Sequence, residues 1–308
     1  MGRLPDLIRA AGTGVLLVAA ACGTSPSPSA SPGAPSTPTA SATVPATSSS
    51  APATAATGST RPAPTTATTR STGDATSSTP ATPRRRREPR RTHDRDRSGS
   101  QRANGAHPEV INRLVDIGNR RKECDTTGTA TTSGYRESAH NLDVARRLQA
   151  ILEAAGARVV LTRSSDDGVG PCIDERARIG NAAGADAAVS IHADGGPPGG
   201  TGFHVIRPLA MGGPVDAVVE RSAALATALR ASFATGTGTA PSTYLATQDG
   251  IVARDDLGGL NLSAVPKVFV ETGNMQNPAD AARLSDPSFR QREAEGLADG
   301  LTRFFAQG

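Results

Sequence analysis

The stretch Ala187-Ala-Val-Ser-Ile-His-Ala-Asp-Gly-Gly196 does most to decide the fold class of this chain. Its first five residues are a short run typical of a buried strand, and the polar residues that follow lead into a glycine-rich turn. A second run, Lys267-Val-Phe-Val-Glu271, also ends on a polar residue and leads into Thr-Gly-Asn. Strands that are apolar on both faces are typical of parallel sheets covered by helices. The two stretches therefore predict an α/β fold with polar side chains at the carboxyl edge of its sheet.

Predicted helices and strands alternate around these two runs. The spacing of apolar residues predicts a helix from about Ser138 to Ala155, which ends at Gly156. The other predicted elements are strands at Arg158–Thr162 and Gly202–Ile206, helices at Asp174–Ala183 and Val215–Phe233, and helices that begin at Pro278 and Pro287. This order predicts a twisted, largely parallel central sheet flanked by helices.

The N-terminal third of the chain has a different composition. Residues 1–22 have the layout of a signal peptide, with Arg3 and Arg9 before the uncharged run Ala10–Ala21. Cys22 follows small residues, as at a bacterial lipoprotein cleavage site; an ordinary secretory signal is the alternative. Residues 23–102 contain a single large aliphatic residue, Val44, and predict a disordered linker that ends in an Arg-rich tract. Residues 103–308 are then one folded domain of an exported, membrane-anchored envelope protein.

The net positive charge of the chain comes from the Arg-rich tract of that linker. The net charge is +4, and residues 84–102 hold nine Arg against three acidic residues, a local +6, so the rest of the chain carries 4 − 6 = −2. The folded domain is not basic, and no aromatic residues interleave the Arg tract, so a nucleic-acid partner is not expected. We expect a monomer.

Two cysteines fall in the predicted domain. Cys124 and Cys172 lie 48 residues apart, without the close spacing of a metal-binding knuckle. Two cysteines in an exported domain form a disulfide more often than a metal site. Two buried free thiols are the alternative.

Two polar residues at the predicted strand ends are candidates for chemistry. His192 follows one strand and Glu271 ends another. Either residue alone has an ordinary explanation, a hydrogen-bonded loop histidine or a capping carboxylate. Together at one sheet edge they fit a metal ligand and a general base.

Four motifs stand out in the predicted domain: Arg121-Lys-Glu-Cys-Asp-Thr-Thr-Gly-Thr-Ala130, Gly134-Tyr-Arg-Glu-Ser138, Val189-Ser-Ile-His-Ala-Asp-Gly-Gly196 and Val270-Glu-Thr-Gly-Asn-Met275. They resemble the zinc-dependent N-acetylmuramoyl-L-alanine amidases of the amidase-3 family, in particular the mycobacterial type that contains a disulfide. The resemblance spans residues 103–308. It implies hydrolysis of the amide bond between N-acetylmuramic acid and L-alanine in peptidoglycan, with Zn²⁺ as cofactor.

The resemblance also implies roles for individual residues. Glu137 and His192 match two zinc ligands, Glu271 matches the catalytic glutamate, and Cys124 with Cys172 match the disulfide. His140 is a weaker candidate for a replacement ligand, as is His107, and His204 fits a structural role.

The family's first zinc ligand is missing from the chain as written. Family members begin with a strand and Asp-Pro-Gly-His; here Asp94-Arg-Asp-Arg-Ser-Gly-Ser-Gln-Arg102 stands in that place, and no strand is predicted before it. One choice of codons for this stretch, read one base later, encodes Thr-Val-Ile-Asp-Pro-Gly-His-Asn-Gly. We therefore hypothesise a shifted reading frame; a true basic insertion is the alternative. If the insertion is real, a peptidoglycan-binding lipoprotein with impaired catalysis is the alternative function.

Overall fold

The computed structural model describes residues 15–19, 102–245, 247 and 249–307. All of them belong to one compact unit. The linker predicted at residues 23–102, apart from Arg102, lies outside the described residues, as do Cys22 and most of the predicted signal peptide.

A six-stranded sheet forms the centre of the domain. Its strands are β1 (Val15–Ala19), β4 (Arg158–Leu161), β5 (Ala187–Asp194), β6 (His204–Pro208), β7 (Ile251–Arg254) and β8 (Lys267–Asn274). Their order across the sheet is β4-β1-β5-β8-β6-β7. All neighbouring strands run parallel except β6 and β8, which are antiparallel. A separate antiparallel pair consists of β2 (Leu114–Asp116) and β3 (Arg121–Glu123). The predicted, largely parallel sheet is confirmed.

The helices of the described part agree closely with the predicted ones. They are α1 (Pro108–Ile111), α2 (Glu137–Ala154), α3 (Ile173–Ala183), α4 (Val219–Thr237), α5 (Gly258–Asn261), α6 (Pro278–Ser285) and α7 (Pro287–Phe305). Short 3₁₀ turns lie at Asn104–Ala106 and Pro214–Val218. The side chains of Asn277 and Asp286 cap α6 and α7, and a proline in the first turn follows each cap.

The main core lies between one face of the sheet and the helices α2, α4 and α7. It contains Val189 and Ile191 of β5, Val268 and Val270 of β8, and apolar residues from all three helices. Helices α4 and α7 approach so closely that a Cβ atom on Gly300 would lie 2.8 Å from the Cα of Leu229. Glycine at this position is therefore required by packing.

The expectation about the first strand was wrong. No strand was predicted ahead of the domain, yet β1 pairs in parallel with both β4 and β5. A central position in a parallel sheet needs a nearly continuous apolar strand, which the Arg-rich stretch does not offer and the Val-Leu-Leu-Val-Ala run does. The run assigned to a signal peptide by its composition thus supplies the strand.

The predicted disulfide is present. Cys124 and Cys172 are bonded and buried, and they pack with Val115, Ile117 and Ile173 in a small core beside the β2–β3 hairpin. The bond joins the end of this hairpin to the start of α3, a region with few other apolar contacts.

We predict that the double substitution Cys124→Ser, Cys172→Ser lowers the free energy of unfolding by about 2–5 kcal/mol, because it removes a crosslink across 48 residues. Urea unfolding of the two proteins, followed by circular dichroism, measures the difference. Equal midpoints and slopes would show that the disulfide does not stabilise the fold.

Candidate active site

Glu137 and His192 meet at the carboxyl edge of the sheet. Glu137 is the first residue of α2, and His192 lies near the end of β5. The Nδ1 atom of His192 is 3.0 Å from Oε1 of Glu137. The other carboxylate oxygen of Glu137 accepts a hydrogen bond from the backbone N–H of Thr129, and both side chains are buried. The fold thus brings together two of the residues that the sequence predicted for a zinc site.

The imidazole of His192 is held in one orientation. Its ring stacks on Phe269, with the centroids 4.9 Å apart and the planes 13° from parallel. Its Nε2 atom is buried and has no hydrogen-bond partner in the described part of the chain. Nδ1, the other ring nitrogen, faces Glu137, so it is the atom that could share a ligand with that carboxylate.

Glu271 lies next to this pair on β8. It is directly opposite His192 in the β5–β8 ladder and opposite His204 in the β6–β8 ladder. The side chain is completely buried, and neither carboxyl oxygen has a hydrogen-bond partner among the described residues. Burial raises the pKa of Glu271 well above its ordinary value, and the nearby carboxylates of Asp194 and Glu137 raise it further. Such a carboxyl group readily takes up a proton.

Asp194, Tyr244 and Arg254 form a wall of the site that sequence reasoning missed. The hydroxyl of Tyr244 donates a hydrogen bond to Asp194 at 3.0 Å. The Tyr244 ring covers Gly200, where a Cβ atom would lie 2.4 Å from the ring carbon Cδ1. Arg254 donates two hydrogen bonds to the carboxylate of Asp256, and its positive charge opposes the rise in the pKa of Glu271. Asp194 falls within a quoted motif, but nothing in the sequence pointed to Tyr244 or Arg254.

The other candidate ligands are not brought to the site. His140 is buried, but its Nε2 atom lies 2.9 Å from the hydroxyl of Thr272. His107 is exposed and pairs with Glu109. Over the described ranges there is no group of three or more His, Cys, Asp or Glu side chains that could hold a metal ion.

Residues 114–303 match the family model described as N-acetylmuramoyl-L-alanine amidase. The chain is 40% identical over 204 residues to N-acetylmuramoyl-L-alanine amidase Rv3717 of Mycobacterium tuberculosis, covering 66% of this chain and 83% of the relative. The chain belongs to the N-acetylmuramoyl-L-alanine amidase family.

Two solved amidase structures share the fold. The amidase Ami1 from Mycobacterium smegmatis superimposes with a TM-score of 0.63 at 39% identity, covering 69% of this chain and 95% of that one. Ami1 from Mycobacterium abscessus gives a TM-score of 0.61 at 40% identity, covering 68% and 95%. Members of this amidase family are hydrolases of peptidoglycan, so the predicted enzyme class is confirmed.

The burial of His204 beside the site can be tested through the pH dependence of the free energy of unfolding. Burial lowers the pKa of His204 to about 3, and the charge of Arg254 adds to the shift. The unfolded chain therefore takes up a proton below about pH 6.5 that the folded chain refuses, and stability falls as the pH falls. We predict that wild type loses more stability between pH 6.5 and pH 4 than His204→Gln does, by about 1.4 kcal/mol per pH unit at most.

Urea unfolding at pH 7, 6, 5 and 4 measures this difference. Tyr244 and Glu271 also face His204 and stay in both proteins, so their titration largely cancels. Parallel pH profiles would show that His204 titrates normally in the folded protein.

Proposed function

We propose that this chain is an exported, zinc-dependent peptidoglycan hydrolase that cleaves the amide bond between N-acetylmuramic acid and L-alanine, with Glu271 as its general base. The observation that carries the proposal is the burial of the Glu271 carboxyl group beside the Glu137–His192 pair, at one sheet edge. Amidase family membership supports the substrate class.

Glu137 and His192 would hold the zinc ion. A carboxylate oxygen and an imidazole nitrogen are ordinary zinc donors, and Oε1 of Glu137 and Nδ1 of His192 face each other 3.0 Å apart. The described residues fit two positions of the site, so a third protein ligand must come from outside them. When bound, zinc lowers the pKa of a water molecule and polarises the carbonyl group under attack.

The local charge also favours a cation. Burial raises the pKa of Asp194 and of Glu271, the charge of Glu137 raises both further, and the charge of Arg254 counters the rise. Burying carboxylates close together is costly unless a cation or a proton neutralises them.

Glu271 would move the proton that the hydrolysis requires. Its carboxylate accepts a proton from the attacking water as the water oxygen bonds to the lactyl carbonyl carbon. The same carboxyl group then gives the proton to the nitrogen of L-alanine as the carbon–nitrogen bond breaks. A raised pKa suits this second step, because the group must keep the proton until the amine leaves.

The non-catalytic alternative gains no support, since the matched relatives are named as amidases. Anchoring at Cys22 and export remain proposals that rest on the N-terminal sequence. In the described part of the chain, no helix has both the length and the hydropathy to cross a membrane.

We predict that Glu271→Gln lowers cleavage of purified peptidoglycan by about 100-fold or more, the usual contribution of a general base, while bound zinc stays at the wild-type level. The assay measures new amino groups on L-alanine, with turbidity as a second readout, and elemental analysis measures zinc. Chelation should abolish wild-type activity.

The matched control for this experiment is Glu220→Gln, an exposed carboxylate on α4 that should leave activity unchanged. Full cleavage by Glu271→Gln would remove Glu271 from the base role. Wild-type cleavage that survives chelation would remove zinc from the mechanism.

The third ligand and the first strand share one proposed origin. Residues 15–19 form the central strand β1, yet they fall in the segment proposed to be removed on export. The shifted reading of residues 94–102 would encode both a replacement strand end, Thr-Val-Ile, and the ligand motif Asp-Pro-Gly-His. One short stretch next to the domain would then supply both the replacement strand and the third zinc ligand.

We predict that resequencing the gene across codons 80–110 gives Asp-Pro-Gly-His in place of the Arg-rich stretch. The intact mass of the mature protein checks the result and also shows whether Cys22 is acylated. A confirmed Arg-rich reading, with that mass, would contradict the shifted frame and leave the site with two protein ligands.

A further inference from the structure

A buried polar cluster lies behind the site, between the sheet and two helices. It consists of His140 on α2, Thr272 on β8 and Glu293 on α7, each no more than 1% exposed. The Nε2 atom of His140 is 2.9 Å from the Thr272 hydroxyl and 3.5 Å from Oε2 of Glu293. These residues come from three elements that are distant in sequence, so the cluster is a feature of the tertiary fold.

The direction of the hydrogen bonds follows from the Thr272 hydroxyl. It has one proton, which it donates to the backbone carbonyl of His192 at 3.0 Å. The hydroxyl must then accept from His140, so Nε2 of His140 carries a hydrogen. The hydrogen bonds therefore run from His140 through Thr272 to the backbone of a proposed zinc ligand.

The His140–Glu293 contact is not an ion pair at neutral pH. Burial lowers the pKa of His140 to about 4, and the positive charge of Arg290 adds to the effect. Burial likewise raises the pKa of Glu293 well above its ordinary value. The other charged groups near the cluster are Asp143, Glu137 and Arg292, and the ring of Tyr135 packs edge-on against His140. A neutral network avoids the cost of burying two charges.

The Thr272 hydroxyl acts where the sheet is irregular. The β5–β8 ladder pairs His192 with Glu271 and then shifts register before Asp194 pairs with Asn274. Irregular pairing of this kind redirects side chains and loosens a ladder. The hydroxyl spans this place, because Thr272 follows Glu271 in β8 and binds the carbonyl of His192 in β5.

We propose that His140, Thr272 and Glu293 are positioning residues that fix the carboxyl group of Glu271 relative to the imidazole of His192. This inference rests on the proposed function, since it assigns the cluster to the same site. The cluster reaches each element that carries Glu137, His192 or Glu271: α2 begins at Glu137, one turn before His140, while Thr272 joins the ends of β5 and β8. Glu293 adds α7 as a rigid support.

The test compares Thr272→Val, which removes the hydroxyl with little change in shape, with Thr272→Ser, which keeps it. We expect Thr272→Val to lower kcat about 10-fold or more, the usual effect of removing such a supporting hydrogen bond, with KM within about 2-fold of wild type. Thr272→Ser should restore most of the lost kcat. Thr235→Val, which removes an exposed hydroxyl on α4, is the matched control and should change neither constant.

A second readout does not depend on activity. In spectra of the folded protein with ¹⁵N-labelled histidine, His140 should stay neutral with its hydrogen on Nε2 from pH 7 to pH 5. The imidazole signals of His192 should move in Thr272→Val and not in Thr272→Ser. If Thr272→Val does not fold, Glu293→Leu and Glu293→Gln replace the pair, and the Gln variant should keep the higher kcat because its amide can still hydrogen-bond.

The outcomes separate the two proposals. A wild-type protein without amidase activity contradicts the proposed function, and the His192 signals then still decide the positioning role. An active wild type with equal kinetics in Thr272→Val, or with equal losses in the Val and Ser variants, overturns the positioning role alone.

Discussion

A buried contact of 3.0 Å between Glu137 and His192 joins the first turn of a helix to the end of a central strand. Breaking this contact costs free energy, because a buried polar group that loses its partner keeps the full cost of its desolvation. The contact therefore fixes the position of α2 along the sheet. The other features of the site, including the Phe269 stack and the register of Glu271, lie around this fixed point.

The site contains one buried group that is unfavourable by itself. The carboxyl group of Glu271 is buried and has no hydrogen-bond partner within the described residues. Beneath it, Val189 and Ile191 of β5 and Val268 and Val270 of β8 pack against three helices. The core thus supports an arrangement that would be unfavourable alone, as expected where a site is organised for chemistry rather than for stability.

Local sequence patterns predicted most of the fold because they reflect local constraints. The predicted ends of α2 are within one residue of the structure, whereas β5 and β8 begin where predicted and continue three residues further, to Asp194 and Asn274. The β2–β3 hairpin was missed, because Arg121-Lys-Glu123 is polar and owes its position to the neighbouring disulfide. The links from Thr272 to His140 and His192, 132 and 80 residues away, were also beyond prediction, since no pattern marks a tertiary hydrogen bond.

The place of β1 in the sheet constrains what the mature protein must contain. A strand between β4 and β5 pairs with the backbone groups of both neighbours, and its loss would leave an unpaired edge on each of them. If export removes residues 1–21, another apolar segment has to fill that place. Residues 23–102 as written offer only Val44 among large aliphatic residues, whereas the shifted reading supplies Val-Ile directly before the ligand motif. The strand that the fold requires and the ligand that the zinc site requires would therefore be encoded by the same short stretch of the gene.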